Sequence, residues 1–501
     1  MTAHLINTVP HTLEPTDHPY MTGAWTPNFD EYDAHDMEVI GEIPKDIDGV
    51  YVRNTENPIH KPIGTYHPFD GDGMIHIMSF RDGKAFYRNR FVRTKAFEEE
   101  MKEGGAIWAG IAENPKKSKR EGWGAQGRLK DSSSTDVVVH AGRVLSTFYQ
   151  CGDGYRLDPY TLDQSGPESW VPSDYGISAH PKVDERTGEL MFFNYSKEAP
   201  YMHYGVVDKD NQLTHYVPIE LPGPRLPHDM AYTENYSILA DLPLFWDPDA
   251  LAKGFHASRF FRDLPTRFAI IPRHGQPEDI KWFEADPTYV LHWMNAYEEG
   301  DEIILDGYFQ EEPQPQPLEH MHPELGQMMA FLDEHSFRPK LHRWRFNLKT
   351  GETKEEHLDD RILEFGSFNQ DIGGTKGRYL YSTTTKPGWF LFDGVVKHDF
   401  ETGQSQSVSF GDNRFGSEAP FAPRQNAQDE DDGYLVSFIT DMNENRSECV
   451  LIDAKNIEDG PVCRIILPRR ISSGTHATWA DGPRLRETQS RLGITAGEMA
   501  A

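Results

Sequence analysis

Short runs of β-branched and aromatic residues, each closed by turn formers, fill the chain almost from end to end. KAFYRNRFVRT, DVVVHAGRVLSTFY, GELMFFNYS, HYGVVDKDNQLTHYVPI, DEIILDGYF, GRYLYSTTT and DGYLVSFIT alternate or concentrate such residues between Gly, Asp, Asn and Pro. The punctuation recurs as hairpin turns: RDGK at 81–84, HAGR at 140–143, ERTGE at 185–189, KDNQ at 209–212, LKTGE at 348–352 and FETGQ at 400–404. So many short hairpins predict an all-β architecture that closes on itself, a propeller rather than a sandwich, which rarely grows so large. No blade repeat is legible in the residues themselves.

Helical patterns are few. Residues 95–104 (KAFEEEMKEG) and 248–263 (PDALAKGFHASRFFRD) are predicted helices, the second opening with Pro248. A third is expected near 325–333, inside a stretch (311–340) rich in Gln, Pro, His and Met that reads as a long insertion or surface loop. No linker divides the chain into independent domains. The expected organisation is an N-terminal extension (1–30), one propeller domain (31–482) and a charged tail (483–501) that ends in small residues and is open to disorder.

Composition narrows the partners. Lys plus Arg number 50 against 80 Asp plus Glu, a formal charge of −30. Nucleic acid is excluded by that balance, since phosphate binding needs a basic surface. An anionic membrane would be repelled on average, leaving at most a weak peripheral contact through a local patch. The three cysteines (Cys151, Cys449, Cys463) show no CxxC pairing, which argues against a disulfide scaffold or thiolate metal site and suits a reducing cytoplasm. The first thirty residues lack the basic start and apolar core of a signal peptide, and no stretch approaches about twenty apolar residues. A soluble, cytoplasmic protein is expected; the oligomeric state is not legible.

Among 22 histidines, four stand out by context: His180 in SAHPK, His228 in LPHDMAYTENY, His292 in LHWMNAYEEGDEI and His476 in GTHATWAD. Nothing in their wide spacing resembles a zinc finger or HExxH. His180, His228 and His292 each precede a strand-like run, however, and in a propeller strands distant in sequence converge on one axis. Imidazole suits Fe, Zn, Cu or Ni, so ligand type alone leaves the metal open.

Nine segments in order carry a resemblance: YVRNTENP with FDGDGMIH, NRFVRT, SAHPK with a downstream TGEL, HDMAYTENY, HxxNAYEEGD, EFGSFN, SEAPFAPR and GTHATWAD, from about residue 38 to 480. Together they resemble the carotenoid cleavage oxygenases, which include apocarotenoid oxygenases, lignostilbene dioxygenases and the retinal-pigment isomerase. The resemblance implies a seven-bladed β-propeller with iron(II), Fe(2+), on its axis, held by His180, His228, His292 and His476. It implies too that glutamates orient three of those ligands. Glu364 in EFGSFN and Glu418 in SEAPFAPR match two, whereas the third position holds Gln150, which can accept a hydrogen bond but lacks the charge. Its expected partner is His228.

The implied reaction is oxidative cleavage of an electron-rich C=C bond by O2 to two carbonyl products, with no nicotinamide, flavin or 2-oxoglutarate. The expected partners are O2 and a small hydrophobic alkene, apocarotenoid-like in the first reading, a stilbene or vinylphenol in the alternative. At the positions where stilbene-cleaving relatives present a Tyr and a Lys to a phenol, this chain has Phe91 and Tyr149. The segment 239–261 reads either as tunnel wall or as a packed helix and loop. A ligand-binding propeller without chemistry, or an isomerase or hydrolase using the metal as a Lewis acid, are the other classes. FDGDGM, the GDG at 152–154, Glu298, Glu299 and the histidines at 203, 215, 320, 322, 335 and 342 read as structural or surface features.

Overall fold

The computed structural model describes every residue except 123–128, 172–174, 496 and 498–501. Five sheets share one plan, a four-stranded antiparallel meander in chain order. Their first strands are Asp136–His140, Lys182–Asp184, Ala231–Tyr232, Trp293–Glu299 and Glu364–Ser367. All six predicted turns link consecutive strands of one sheet. In RDGK both Asp82 (φ 52°) and Gly83 (φ 71°) are left-handed, as a two-residue hairpin matched to strand twist requires.

Two larger sheets complete the set. In one, Val39–Gly41 pairs with Pro461–Ile466 beyond Arg446–Asp453 and Gly433–Asp441. The other sets Ala477–Asp481 beside Gly49–Arg53, from Ala477↔Arg53 to Asp481↔Gly49. Segments from near both ends of the chain are thus joined by backbone hydrogen bonds.

Hydrophobic clusters fill each interface between neighbouring sheets and follow one another around a ring. They include Ile75 with Val144, Leu145 with Phe192, Tyr204 with Ile271, Phe268 with Trp344, Tyr308 with Val396, Tyr381 with Phe421 and Phe438 with Tyr51. This is an all-β propeller with few helices. Seven blades were expected, and that expectation is met only coarsely: five sheets follow the simple plan, and two are composites of six and seven strands.

One helix expectation needs correction. The segment 248–263 is helical only at Pro248–Ala252; Gly254 (φ 85°) ends the turn, and Ser258–Phe260 forms a ribbon with Leu244–Trp246. Near 325–333 there are two short helices, Gly326–Ala330 and Glu334–Phe337, while Lys95–Glu103 forms as expected. The ends are more ordered than the sequence suggested. Thr2–Thr8 is the outermost strand of the larger composite sheet, and Gly482–Arg491 is a helix that buries Leu485 and Gln489. The expected tail disorder falls partly on 496 and 498–501, which lie outside the described residues.

Candidate metal centre

Each of the four histidines stands just before the first strand of a different sheet, or before the clasp strand Ala477–Asp481. That placement turns wide sequence separations into one cluster. One ring nitrogen from each of His180, His228, His292 and His476 lies within 4.8 Å of the others, and all four are buried. The ring centroids of His180 and His476 are 4.5 Å apart, and those of His292 and His476 are 4.7 Å apart.

Carboxylates fix two rings. His292 Nδ1 bonds Glu364 Oε2 at 2.6 Å, and Glu364 is 0 % exposed. His476 Nδ1 lies 3.3 Å from Glu418 Oε2, which also accepts the Ala477 N–H at 2.9 Å. A ring whose Nδ1–H is donated outward keeps the Nε2 lone pair free to face the cluster. His292 Nε2 is buried with no hydrogen-bond partner. His180 Nε2 and His228 Nε2 face each other at 3.1 Å.

Burial first, and the neighbouring histidines second, hold His180 and His292 well below the usual histidine range, and His228 at about 3. Burial would lower His476 too, but the Glu418 hydrogen bond and nearby carboxylates leave it raised. Burial also drives the Glu364 carboxyl far upward, so the His292–Glu364 pair favours neutral forms until a cation sits on the ring. Three imidazoles held neutral by burial, one of them with an orphaned inward nitrogen, beside a fourth backed by a carboxylate, fit a divalent transition metal.

Gln150 makes no hydrogen bond to His228 among the described residues. Its Nε2 donates to the Tyr149 hydroxyl at 2.8 Å, and its Oε1 is buried without a partner. The Tyr149 ring stands 6.2 Å from His228 and 5.8 Å from Phe69. Phe91 is placed elsewhere, packed with Val9, Ile59, Met74 and Phe97, so the structure does not bring it to the histidines.

Sequence reasoning missed the roof. Phe365 lies 4.5 Å from His292 and 4.8 Å from His476, and stacks on toward Phe390 and Phe392. Its φ of 48°, rare for an aromatic residue, and the 62° of His180 mark strain held at the site. Trp25 of the N-terminal segment covers Phe390 at 5.8 Å. Asp136, which accepts the His180 N–H at 3.1 Å, was missed as well. Phe365 follows Glu364 directly and could have been suspected; Asp136 has no local signal.

The segment 239–261 does line a cavity. Phe245, Trp246, Leu251 and His256 bound a space of about 820 Å³ together with Tyr201 and Pro224. Trp246 stacks near Tyr195 (6.3 Å), whose hydroxyl donates to the Tyr149 carbonyl at 2.7 Å. Glu298, in contrast, clamps a turn by accepting from the Thr233 hydroxyl at 2.7 Å and the Asn235 N–H at 2.9 Å.

Fold and site together define a class, an all-β propeller with a four-imidazole metal centre beneath an aromatic roof. The family described as retinal pigment epithelial membrane protein matches residues 25–481, and the chain belongs to it, among the carotenoid cleavage oxygenases. It is 33% identical to carotenoid 9,10(9',10')-cleavage dioxygenase 1 of Pisum sativum, over 94% of this chain and 91% of that one. It is 31% identical to isoeugenol monooxygenase of Pseudomonas nitroreducens, over 93% and 98%. Lignostilbene dioxygenase of Pseudomonas brassicacearum superposes with a TM-score of 0.82 at 25% identity, over 95% of this chain and 100% of that one. Cobalt-substituted apocarotenoid oxygenase of Synechocystis gives 0.80 at 25% identity, over 91% and 98%. The chain is therefore an oxidoreductase of the alkene-cleaving dioxygenase type. Among the described residues no helix is long and apolar enough to cross a membrane.

Proposed function

We propose that this protein is an iron(II) dioxygenase that cleaves a C=C bond of an apocarotenoid-like or related conjugated alkene, giving two carbonyl products. The observation that carries this reading is the four-histidine cluster with Glu364 and Glu418 behind it. His180, His228, His292 and His476 would hold the metal through Nε2; Glu364 and Glu418 would orient two of them, and Gln150 would serve a third as a neutral acceptor. When bound, iron(II) supplies O2 activation beside the alkene.

The chain's own residues position and exclude. Phe365, Phe390 and Phe69 offer flat apolar faces to a conjugated chain, and no acid–base pair is needed. The cavity bounded by Phe245 and Trp246 is the proposed mouth of the passage toward Tyr149. Residues 31–482 would act as one catalytic unit, with the two composite sheets counted as blades, which makes seven. Three buried, unpaired cysteines suit a reducing cytoplasm.

A second reading is favoured by one observation: the likeness to isoeugenol monooxygenase and lignostilbene dioxygenase points to a stilbene or vinylphenol, with Tyr149 as the polar contact. Metal analysis of the purified protein, with O2 uptake on an apocarotenal, a 4-hydroxystilbene and a vinylphenol, tests both. Near-stoichiometric iron and O2 consumption with one of them is expected. Neither iron nor uptake after anaerobic reconstitution would leave a binding propeller. His292→Ala should abolish iron binding and turnover; full activity would overturn the four-histidine assignment.

A further inference from the structure

The two ends of the histidine cluster differ in chemistry. On one side lies the aromatic roof; on the other a small cavity of about 130 Å³ follows the inner strands away from His180, His292 and His476. Its wall carries the carboxylates of Asp136, Asp229, Glu185 and Glu418. Lys182 is the single cation among the lining residues, and Asp229 already pairs with it at 2.7 Å. His292, whose Nε2 is buried and unpaired, is among the lining residues.

Val139, Val183 and Glu185 line a second, outer space of about 400 Å³ as well, so the two cavities share a wall. Arg484 of the helix Gly482–Arg491 stands at that junction. Its guanidinium bonds Glu185 at 2.8 Å and Asp371 at 2.5 Å, tying the turn after Lys182–Asp184 to the short helical turn Gln370–Ile372.

We propose that this axial cavity is the path by which a divalent cation reaches the four histidines, and that Arg484 gates its outer mouth. The inference rests on the reading that these histidines hold a metal. A hydrated dication sheds water only where other oxygens replace it, which a carboxylate-lined wall provides and an aromatic roof does not. Acidic walls of low dielectric also concentrate cations in a cleft. The Arg484 guanidinium holds that acidic mouth shut with a cation of the chain's own, and it lies half-exposed, where breaking its two ion pairs is not costly.

The test uses chelator-stripped full-length protein and Co(2+) as the probe, followed by its absorption on binding. Arg484→Ala should speed both uptake and chelator-driven release by about fivefold, the scale of a partly screened ion pair. Affinity and final stoichiometry should stay unchanged, because a gate alters both rates alike. Val139→Phe, which narrows the shared wall, should slow both rates, and Arg484→Lys should match the wild type. Uptake in the wild type should fall with added salt. Stoichiometric cobalt with unchanged rates in both Arg484→Ala and Val139→Phe overturns the path. Absence of cobalt binding in the wild type, or full binding in His292→Ala, overturns the metal-centre reading on which it rests. Arg484→Ala alters a half-exposed side chain, so it stays informative if Val139→Phe fails to fold.

Discussion

At the scale of residues, the rings of the centre have partners of unequal strength. His292 has a fully buried glutamate at 2.6 Å, and His476 has one at 3.3 Å. The ring near His228 is Tyr149, 6.2 Å away, whose hydroxyl accepts from the Gln150 N–H, while the Gln150 Oε1 is buried without a partner. Among the described residues no carboxylate bonds the His228 ring, so His228 should be the weakest held of the four. Gln150→Glu, which would offer that ring a carboxylate, is therefore expected to tighten metal binding by about tenfold in a chelator competition. The same change should turn the Tyr149 O–H toward the new carboxylate and raise KM for oxygen-bearing alkenes over plain polyenes. Unchanged metal affinity would mean that Gln150 supports no ligand. The four histidines and both glutamates were legible because each sits in its own short motif. Phe365 and Asp136 were not, because what matters about them is a ring distance and a cross-sheet hydrogen bond.

At the scale of elements, turn chemistry was read well and helix chemistry poorly. A two-residue turn needs positive φ at fixed positions, which Asp-Gly announces locally, whereas the fate of 254–263 depended on pairing with Leu244–Trp246. The helix Gly482–Arg491 was hidden because only Leu485 and Gln489 of it turn inward. Ring closure is the element whose failure is easiest to provoke. Gly49 lies against Ala480 in the clasp, and a Cβ there would sit 2.4 Å from the Ala480 carbonyl oxygen and 2.3 Å from the Trp479 ring. Backbone in a ladder cannot step aside, so Gly49→Ala should cost about 1–3 kcal/mol or more by overpacking. Gly105→Ala, with nothing within 4 Å of the new methyl, is the matched control. Equal thermal midpoints for the two variants would show that the clasp tolerates separation.

At the scale of the whole molecule, a chain of net charge −30 closes its ring over ionisable groups that burial keeps neutral, and these set its pH range. Burial depresses His67 and His140 to about 3. A depressed histidine contributes stability that is full above the unfolded value of 6.5 and lost as pH falls toward 3. Buried carboxyls act on the other side: desolvation raises Asp70 and Asp131 to about 7 and Glu334 to about 8. For such a group the contribution is full below the unfolded carboxyl value and is lost as pH rises through the folded one. Glu334, only 1% exposed in the helix Glu334–Phe337, is the clearest case, with both carboxyl oxygens buried and without a hydrogen-bond partner among the described residues. Between the unfolded value of 4.5 and about 8, folding must keep a proton that the unfolded chain releases. Glu334→Gln removes that requirement while keeping the shape. Its stability relative to the wild type should therefore climb from pH 5.5 to pH 8 by about 1–3 kcal/mol, and level off above. Urea midpoints at the two pH values measure it on chelator-stripped protein. A difference that stays constant with pH would mean that Glu334 is ionised in the native fold and has found a partner there.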